Sequence, residues 1–351
     1  MVKKFTEYIT ERLGVVESTL PYIEVLSNFI FNKTIEFHKM YSDSDDKKII
    51  KEYHKRFKKT DFNVDANSWK DFPVDFIEVI STYSKRYDGR YMTDPKGKFV
   101  SSKVGGACYA FAEGNEKEAS KVIKVGKDRS LKLKFDMSCA IWKSFDEKDY
   151  DYLLAKIKSV ISHELNHAYE NWKRKKNKAT PLSYTMTTAS YMKNKMNFDK
   201  SVWNFWLNNF LDLIYQIEPH ELNAHSQEVA EFIKDSGNNL ESYKEKFPNS
   251  YSNIQNMLNF NADDFIKKLS TKIKRAYQGE VDVQYVQNTL KKLFIDQVQI
   301  VLKDFKNETS RYNINALKKM SFEEFVSYFG KKFNEGGERL MKAVGRAIVN
   351  K

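Results

Sequence analysis

Residues that make turns and cross-links are scarce in this chain. Two cysteines, Cys108 and Cys139, stand among 351 residues. That is too few for a disulfide framework, so a reducing compartment is expected. With six prolines and 13 glycines, there is no Gly- or Pro-rich linker, and a turn-rich all-β fold is disfavoured. No apolar run approaches the roughly 18 residues of a spanning helix, so no membrane span is expected. Charges interrupt the first residues, Met-Val-Lys-Lys-Phe-Thr-Glu-Tyr-Ile-Thr-Glu-Arg, before any apolar h-region can form. The expectation is a soluble protein of the cytoplasm. Acid is in deficit too: 47 Asp+Glu against 59 Lys+Arg give a net charge of +12. A basic balance attracts polyanions, but both signs are spread along the chain. The charge therefore reads as solvated surface, and nucleic acid is not an expected partner.

What the chain has is apolar and aromatic mass: 41% hydrophobic residues, with 25 Phe and 20 Tyr. Residues 1 to about 60 read as helical, with Phe5, Tyr8, Ile9 and Leu13, then Tyr22, Val25, Phe29 and Ile30, at helical spacing. The charged run 47–59 reads as a solvated helix. From about 69 to 142 the pattern changes to a small sheet. Residues 76–83 form an apolar run of strand length, Leu131, Leu133 and Phe135 alternate with polar residues, and 122–125 is a shorter candidate. The Gly-bounded stretch 105–114 reads as an edge strand. A long helix over 149–175 follows, entered through a capping box of Ser144 and Glu147. It leaves through Lys173, Arg174, Lys175 and Lys176, cations suited to a helix C-terminus. Residues 202–217 read as a very apolar helix, broken at Glu218-Pro219. A new helix runs to about 234, and helical patterns continue to the end with a break at Phe247-Pro248. Three regions result: 1–65 helical, 66–238 the core, and 239–351 helical.

The segment that carries chemistry is Val160-Ile-Ser-His163-Glu164-Leu-Asn-His167-Ala-Tyr169. Two histidines four residues apart lie about 40° apart on one helix face, one turn above the other. Both imidazoles can reach a single cation, and Glu164 sits beside the first as general base. This is the His-Glu-x-x-His geometry of zinc peptidases, in which the ion activates water and polarises a carbonyl. The residues flanking the pair are uncharged, which keeps competing charge from the ion.

A zinc held by two histidines needs a third protein ligand. A third His preceded by Gly is excluded, because those positions hold Glu170 and Lys173. Four of the six histidines fall in this helix and in one other segment, Tyr215-Gln-Ile-Glu218-Pro219-His220-Glu221-Leu-Asn-Ala224-His225. Glu221, in the first turn of a helix, is the leading candidate ligand, and Ala224 permits close packing of that helix. His225, His220 and Glu218 remain alternatives. His225 or His220 could instead donate to a developing oxyanion, as could Tyr184, Tyr191 or Tyr215. An extended substrate could add to a sheet edge near Gly105, Gly106 and Ala107.

Taken together, the two segments resemble the zincin superfamily in its gluzincin branch, whose zinc is bound by two His and a Glu. Within that branch the chain is similar to metallopeptidases encoded by tailed bacteriophages. The shared features are the His-Glu-x-x-His helix, a Tyr-x-x-x-Pro-x-Glu-x-x-Ala segment (Tyr215, Pro219, Glu221, Ala224) and a basic C-terminal helix, over about residues 100–235. The resemblance implies an α+β, mostly helical fold. Its zincin-like core would be a small mixed sheet plus the active-site helix, with N- and C-terminal helical additions. It implies Zn2+ on His163, His167 and Glu221, Glu164 as base, and a protein or peptide substrate. It also raises association with a viral particle or other subunits, either as a protease or as a catalytically silent assembly protein on the same scaffold. A nucleic-acid-associated protease ranks last. One departure stands out. The thermolysin-type pattern has an Asp four residues after the ligand Glu, which steadies a zinc-bound His. Here that position is His225, leaving Glu228 or Asp212 as replacements.

Overall fold

The computed structural model describes residues 22–41, 50–58, 61, 76–84, 102–112, 131–142, 145–176, 198–304 and 313–349. Among these residues the fold is α+β and mostly helical. The first helix, α1 (22–41), precedes β1 (Ile50–Lys58), β2 (Phe76–Ser84), β3 (Ser102–Ala112) and β4 (Leu131–Trp142). These strands form a mixed sheet in the order β1-β2-β4-β3, with β2 and β4 parallel and the other pairs antiparallel. β3, predicted as an edge strand, is the last strand of this sheet.

Within the run 47–59, residues 50–58 correct the expectation: they form a strand, β1, rather than a solvated helix, and its alternation brings Arg56 and His54 to Glu78. Arg56 pairs in register with Glu78 of β2; its Nε and Nη2 donate to Oε1 at 2.8 and 2.6 Å. His54 Nε2 lies 3.3 Å from the other oxygen. On the opposite face Phe57 is buried and meets Phe29 edge-on at 4.8 Å. A charge-rich sequence suits an edge strand, where it blunts pairing with other chains.

One face of the sheet carries the core of the first region. Ile77, Val79 and Tyr83 of β2 register with Phe135, Met137 and Ile141 of β4. Ile77, Val79, Tyr83, Met137, Cys139 and Ile141 form one buried cluster with Ile23, Leu26 and Ile30 of α1 and with Leu153, Ile157, Ile161 and Leu165. The last four line α2 (Tyr150–Lys176) at a strict four-residue spacing. Each such side chain contributes about 1.5–3 kcal/mol by leaving water. The helix is entered through a 3₁₀ turn, Glu147–Asp149, whose capping box pairs Asp146 with Asp149. The predicted cap was Ser144 with Glu147. The structure moves it two residues on, where Asp146 has the extended backbone that a cap requires.

Downstream the chain is helical: α3 (Lys200–Trp206), a π turn (Leu207–Leu211), α4 (Asp212–Gln216), α5 (Pro219–Asp235), α6 (Leu240–Lys246), α7 (Pro248–Leu258), α8 (Ala262–Ala276), α9 (Val283–Asp304), α10 (Ile314–Lys319) and α11 (Phe322–Val349). The predicted breaks at Glu218-Pro219 and Phe247-Pro248 both fall between helices. Gly237 follows α5 at φ +67°, a left-handed exit that favours glycine. The candidate strand 122–125 lies outside the described residues.

Two compact units divide the chain: residues 1–181, 223–252 and 342–351 in one, 182–222 and 253–341 in the other. The second is built on aromatic rings. Phe210 is fully buried, with ring centroids 4.5 Å from Trp206, 5.2 Å from Phe265 and 5.6 Å from Phe333. Gly337 allows a close helix approach there, since a Cβ would stand 2.8 Å from the backbone nitrogen of Leu258.

Candidate metal centre

Helix α2 presents both motif histidines from consecutive turns of one face. Their Nε2 atoms lie 3.1 Å apart, with the rings edge-to-face at 4.8 Å. Two nitrogens bound to one tetrahedral ion at about 2.0–2.1 Å would be separated by about 3.3 Å. Before any ion is considered, the imidazoles thus stand close to the separation that a shared ion imposes. The third member comes from the first turn of α5. Glu221 is 4% exposed, and one ligand atom from each of His163, His167 and Glu221 lies within 4.8 Å of the others. This buried group could hold a metal ion. Two imidazole nitrogens and a carboxylate oxygen are a donor set that suits zinc and leaves a coordination position open.

Glu164 is 7% exposed and lies over β3. A Cβ built on Gly106 would stand 2.9 Å from Glu164 Cγ and 2.6 Å from Val160 Cγ1. Only a residue without a side chain lets the strand pass this close to the helix. Gly105 follows the same strand, half-buried. Ala107 pairs with Asp136 of β4 through the backbone.

On the far side of His163 lies a second polar group. Glu228, on α5, places Oε2 3.0 Å from His225 Nδ1 and 3.7 Å from His163 Nδ1. The His163 and His225 rings meet at 4.7 Å. His163, His225 and Glu228 also bring their ligand atoms within 4.8 Å of one another. Burial by itself would raise the Glu228 carboxyl. The nearby imidazoles of His163 and His225 outweigh it and hold the group well below the usual carboxylate range. Lys156, two turns before His163, has its ammonium 4.5 Å from the Phe232 ring centroid and 5.6 Å from that of Phe247. Burial lowers its pKa, and the charge of Glu228 partly restores it.

The remaining candidates sort as follows. His225 approaches His163, but it belongs to the Glu228 group rather than the Glu221 group, and its buried Nε2 has no hydrogen-bond partner among the described residues. Glu218 is buried and joins neither group. Asp212 is exposed and accepts from Gln216 Nε2 at 2.6 Å. Tyr215 is half-buried. Tyr184, Tyr191 and the His220 side chain lie outside the described residues. Sequence reasoning did not anticipate the close approach of Gly106 to Glu164. A paired glycine inside a strand pattern was the available signal, since such glycines mark close backbone approach.

A scan of protein-family models, a search of curated proteins and a search of solved structures each found no match to this chain.

Proposed function

We propose that this chain is a zinc-dependent peptidase built on a zincin-like core. The observation that carries the reading is the convergence of His163 Nε2 and His167 Nε2, 3.1 Å apart, with the buried Glu221 carboxylate completing a three-residue group. The buried carboxylate that follows His163 in sequence, Glu164, supplies the base.

The roles follow from those residues. His163, His167 and Glu221 would hold the ion, and zinc, when bound, supplies an activated water and a polarised carbonyl. Glu164 would accept a proton from the attacking water on its carboxylate and return it to the leaving amine nitrogen. β3, with Gly105, Gly106 and Ala107, offers an edge along which an extended peptide can lie beside Glu164. His225, whose Nδ1 is engaged by Glu228, would donate from Nε2 to a substrate oxygen when its ring carries both protons.

Elemental analysis of the wild type and Glu221→Ala tests the metal. Digestion of a proteome-derived peptide library by the wild type and Glu164→Gln tests the chemistry. One zinc per wild-type chain, lost in Glu221→Ala, with cleavage abolished in Glu164→Gln, is the expected result. No zinc in metal-replete wild type would overturn the reading. Zinc without cleavage would leave a metal-binding scaffold with an assembly role.

A further inference from the structure

We propose that Glu228 is the positioning residue of this centre, a carboxylate that orients the metal-binding imidazole of His163 by facing its Nδ1, and that orients His225 through the same oxygen. The inference rests on the metal site proposed above.

An imidazole that binds a cation through one nitrogen must carry its proton on the other, and the acceptor for that proton fixes both tautomer and ring direction. His163 turns Nε2 toward His167. That leaves Nδ1, which faces Glu228 Oε2 at 3.7 Å. This is ion-pair distance, and closing it by about half an ångström would make a charge-assisted hydrogen bond. Oε2 is already 3.0 Å from His225 Nδ1, which anchors the carboxylate on its own helix.

The spacing on α5 explains why one helix can do both jobs. Glu221, His225 and Glu228 stand at positions i, i+4 and i+7 and therefore on one face. His163 meets that face twice: its metal-side group includes Glu221, and its Nδ1 side includes Glu228 and His225. The thermolysin-type arrangement places the orienting carboxylate four residues after the ligand Glu. In this chain a histidine fills that position, and the carboxylate sits one turn further on.

Glu228 has one other chemical use, as ligand to a second ion with His163 bridging. That would require His163 to lose both ring protons and would give two ions per chain, so stoichiometry separates the two roles.

The test measures zinc affinity by chelator competition on the full-length protein, wild type against Glu228→Gln, with the melting temperature of each metal-free protein recorded. One zinc per chain in both, bound about 10–100-fold more weakly by the variant, is the expected result. Equal affinity would overturn the inference while leaving the metal site intact. Two ions in the wild type, with one lost in Glu228→Gln, would make Glu228 a ligand and also overturn it. Absence of zinc from the wild type would remove the underlying reading and the inference with it. Should Glu228→Gln fail to fold, long-range proton–nitrogen NMR of the zinc-loaded wild type decides. A downfield, exchange-protected Nδ1 proton on His163 is expected, and a freely exchanging one would overturn the proposal.

Discussion

Helix α2 buries Ser159, Ser162, Glu164 and Asn166 together with two leucines and two isoleucines, whereas α11 turns only Phe322, Phe325, Val326, Phe329, Phe333 and similarly apolar residues inward. Both helices are long, at 27 and 28 residues, and both have a fully buried stripe. A buried acid costs free energy unless something repays it. α11 avoids that cost, as an element selected for stability should. α2 accepts it on the face that carries His163 and His167. The location of unfavourable burial is therefore informative, since buried ionisable groups cluster at functional sites.

The contrast breaks first at Glu164. If this acid is buried for chemistry, Glu164→Gln keeps the shape and loses the base. Peptide cleavage should fall by about 10²–10⁴-fold, with zinc retained and the melting temperature unchanged or raised. A variant that unfolded with its activity loss would make Glu164 a structural acid.

A larger effect on stability, with none on chemistry, is expected in the aromatic unit. Phe210→Ala removes a fully buried ring packed on Trp206, Phe265 and Phe333. It should cost about 3–5 kcal/mol in urea denaturation. Zinc affinity of the folded fraction should be unaltered. Weakened zinc binding would mean that the two kinds of burial are not separable.

The parts legible in the sequence are those in which the information is local. His163 and His167 share a face because they are four residues apart, so their convergence follows from helical geometry alone. Glu221 was reachable by asking what third ligand the pair lacked. Its neighbour Glu228 was only one of two candidates for steadying a zinc-bound His, because the contact that distinguishes it from Asp212 is made with another helix. β1 was misread for a related reason. The charges of His54 and Arg56 signal a solvated helix until Glu78, on a different strand, is known to face them. The helix start lies at Asp146 rather than the expected Ser144; several polar residues in that stretch can cap, and Asp146 has the extended backbone and the capping contacts.

Gly106 joins the two halves of the comparison, since it is a packing residue set against Glu164. Gly106→Ala places a methyl 2.6 Å from Val160 Cγ1 and 2.9 Å from Glu164 Cγ, and both belong to α2. Overpacking of this kind costs about 1–3 kcal/mol, readable as a lowered melting temperature. Cleavage should fall by more than stability alone accounts for, because Glu164 must move, while zinc content stays at the wild-type level. Proportionate loss of both would reduce Gly106 to ordinary core packing.

The smallest effect tests burial without a partner charge. Cys139 lies in the sheet core, where burial pushes its thiol from 9.0 up to about 12, and a hydrogen bond involving Thr34 offsets only a little of this. Glu228 moves in the opposite direction despite burial, because two imidazoles face it. For Cys139 the sign is fixed: the folded chain holds the proton between pH 9 and about 12, where the unfolded chain releases it. The contribution of this thiol is therefore complete below pH 9 and is lost as pH rises through that window. Around neutral pH both states hold the proton, so this thiol should give stability no pH dependence there. Reactivity should register it, because the thiolate is the nucleophile. Near pH 8 the native thiolate fraction falls well below that of the unfolded chain. Alkylation read at Cys139 by peptide mass spectrometry should be slow in the native protein and fast in urea. Rapid native labelling would show that the sheet core opens under native conditions, so that the polar face of α2 rests on less rigid support than its apolar stripe implies.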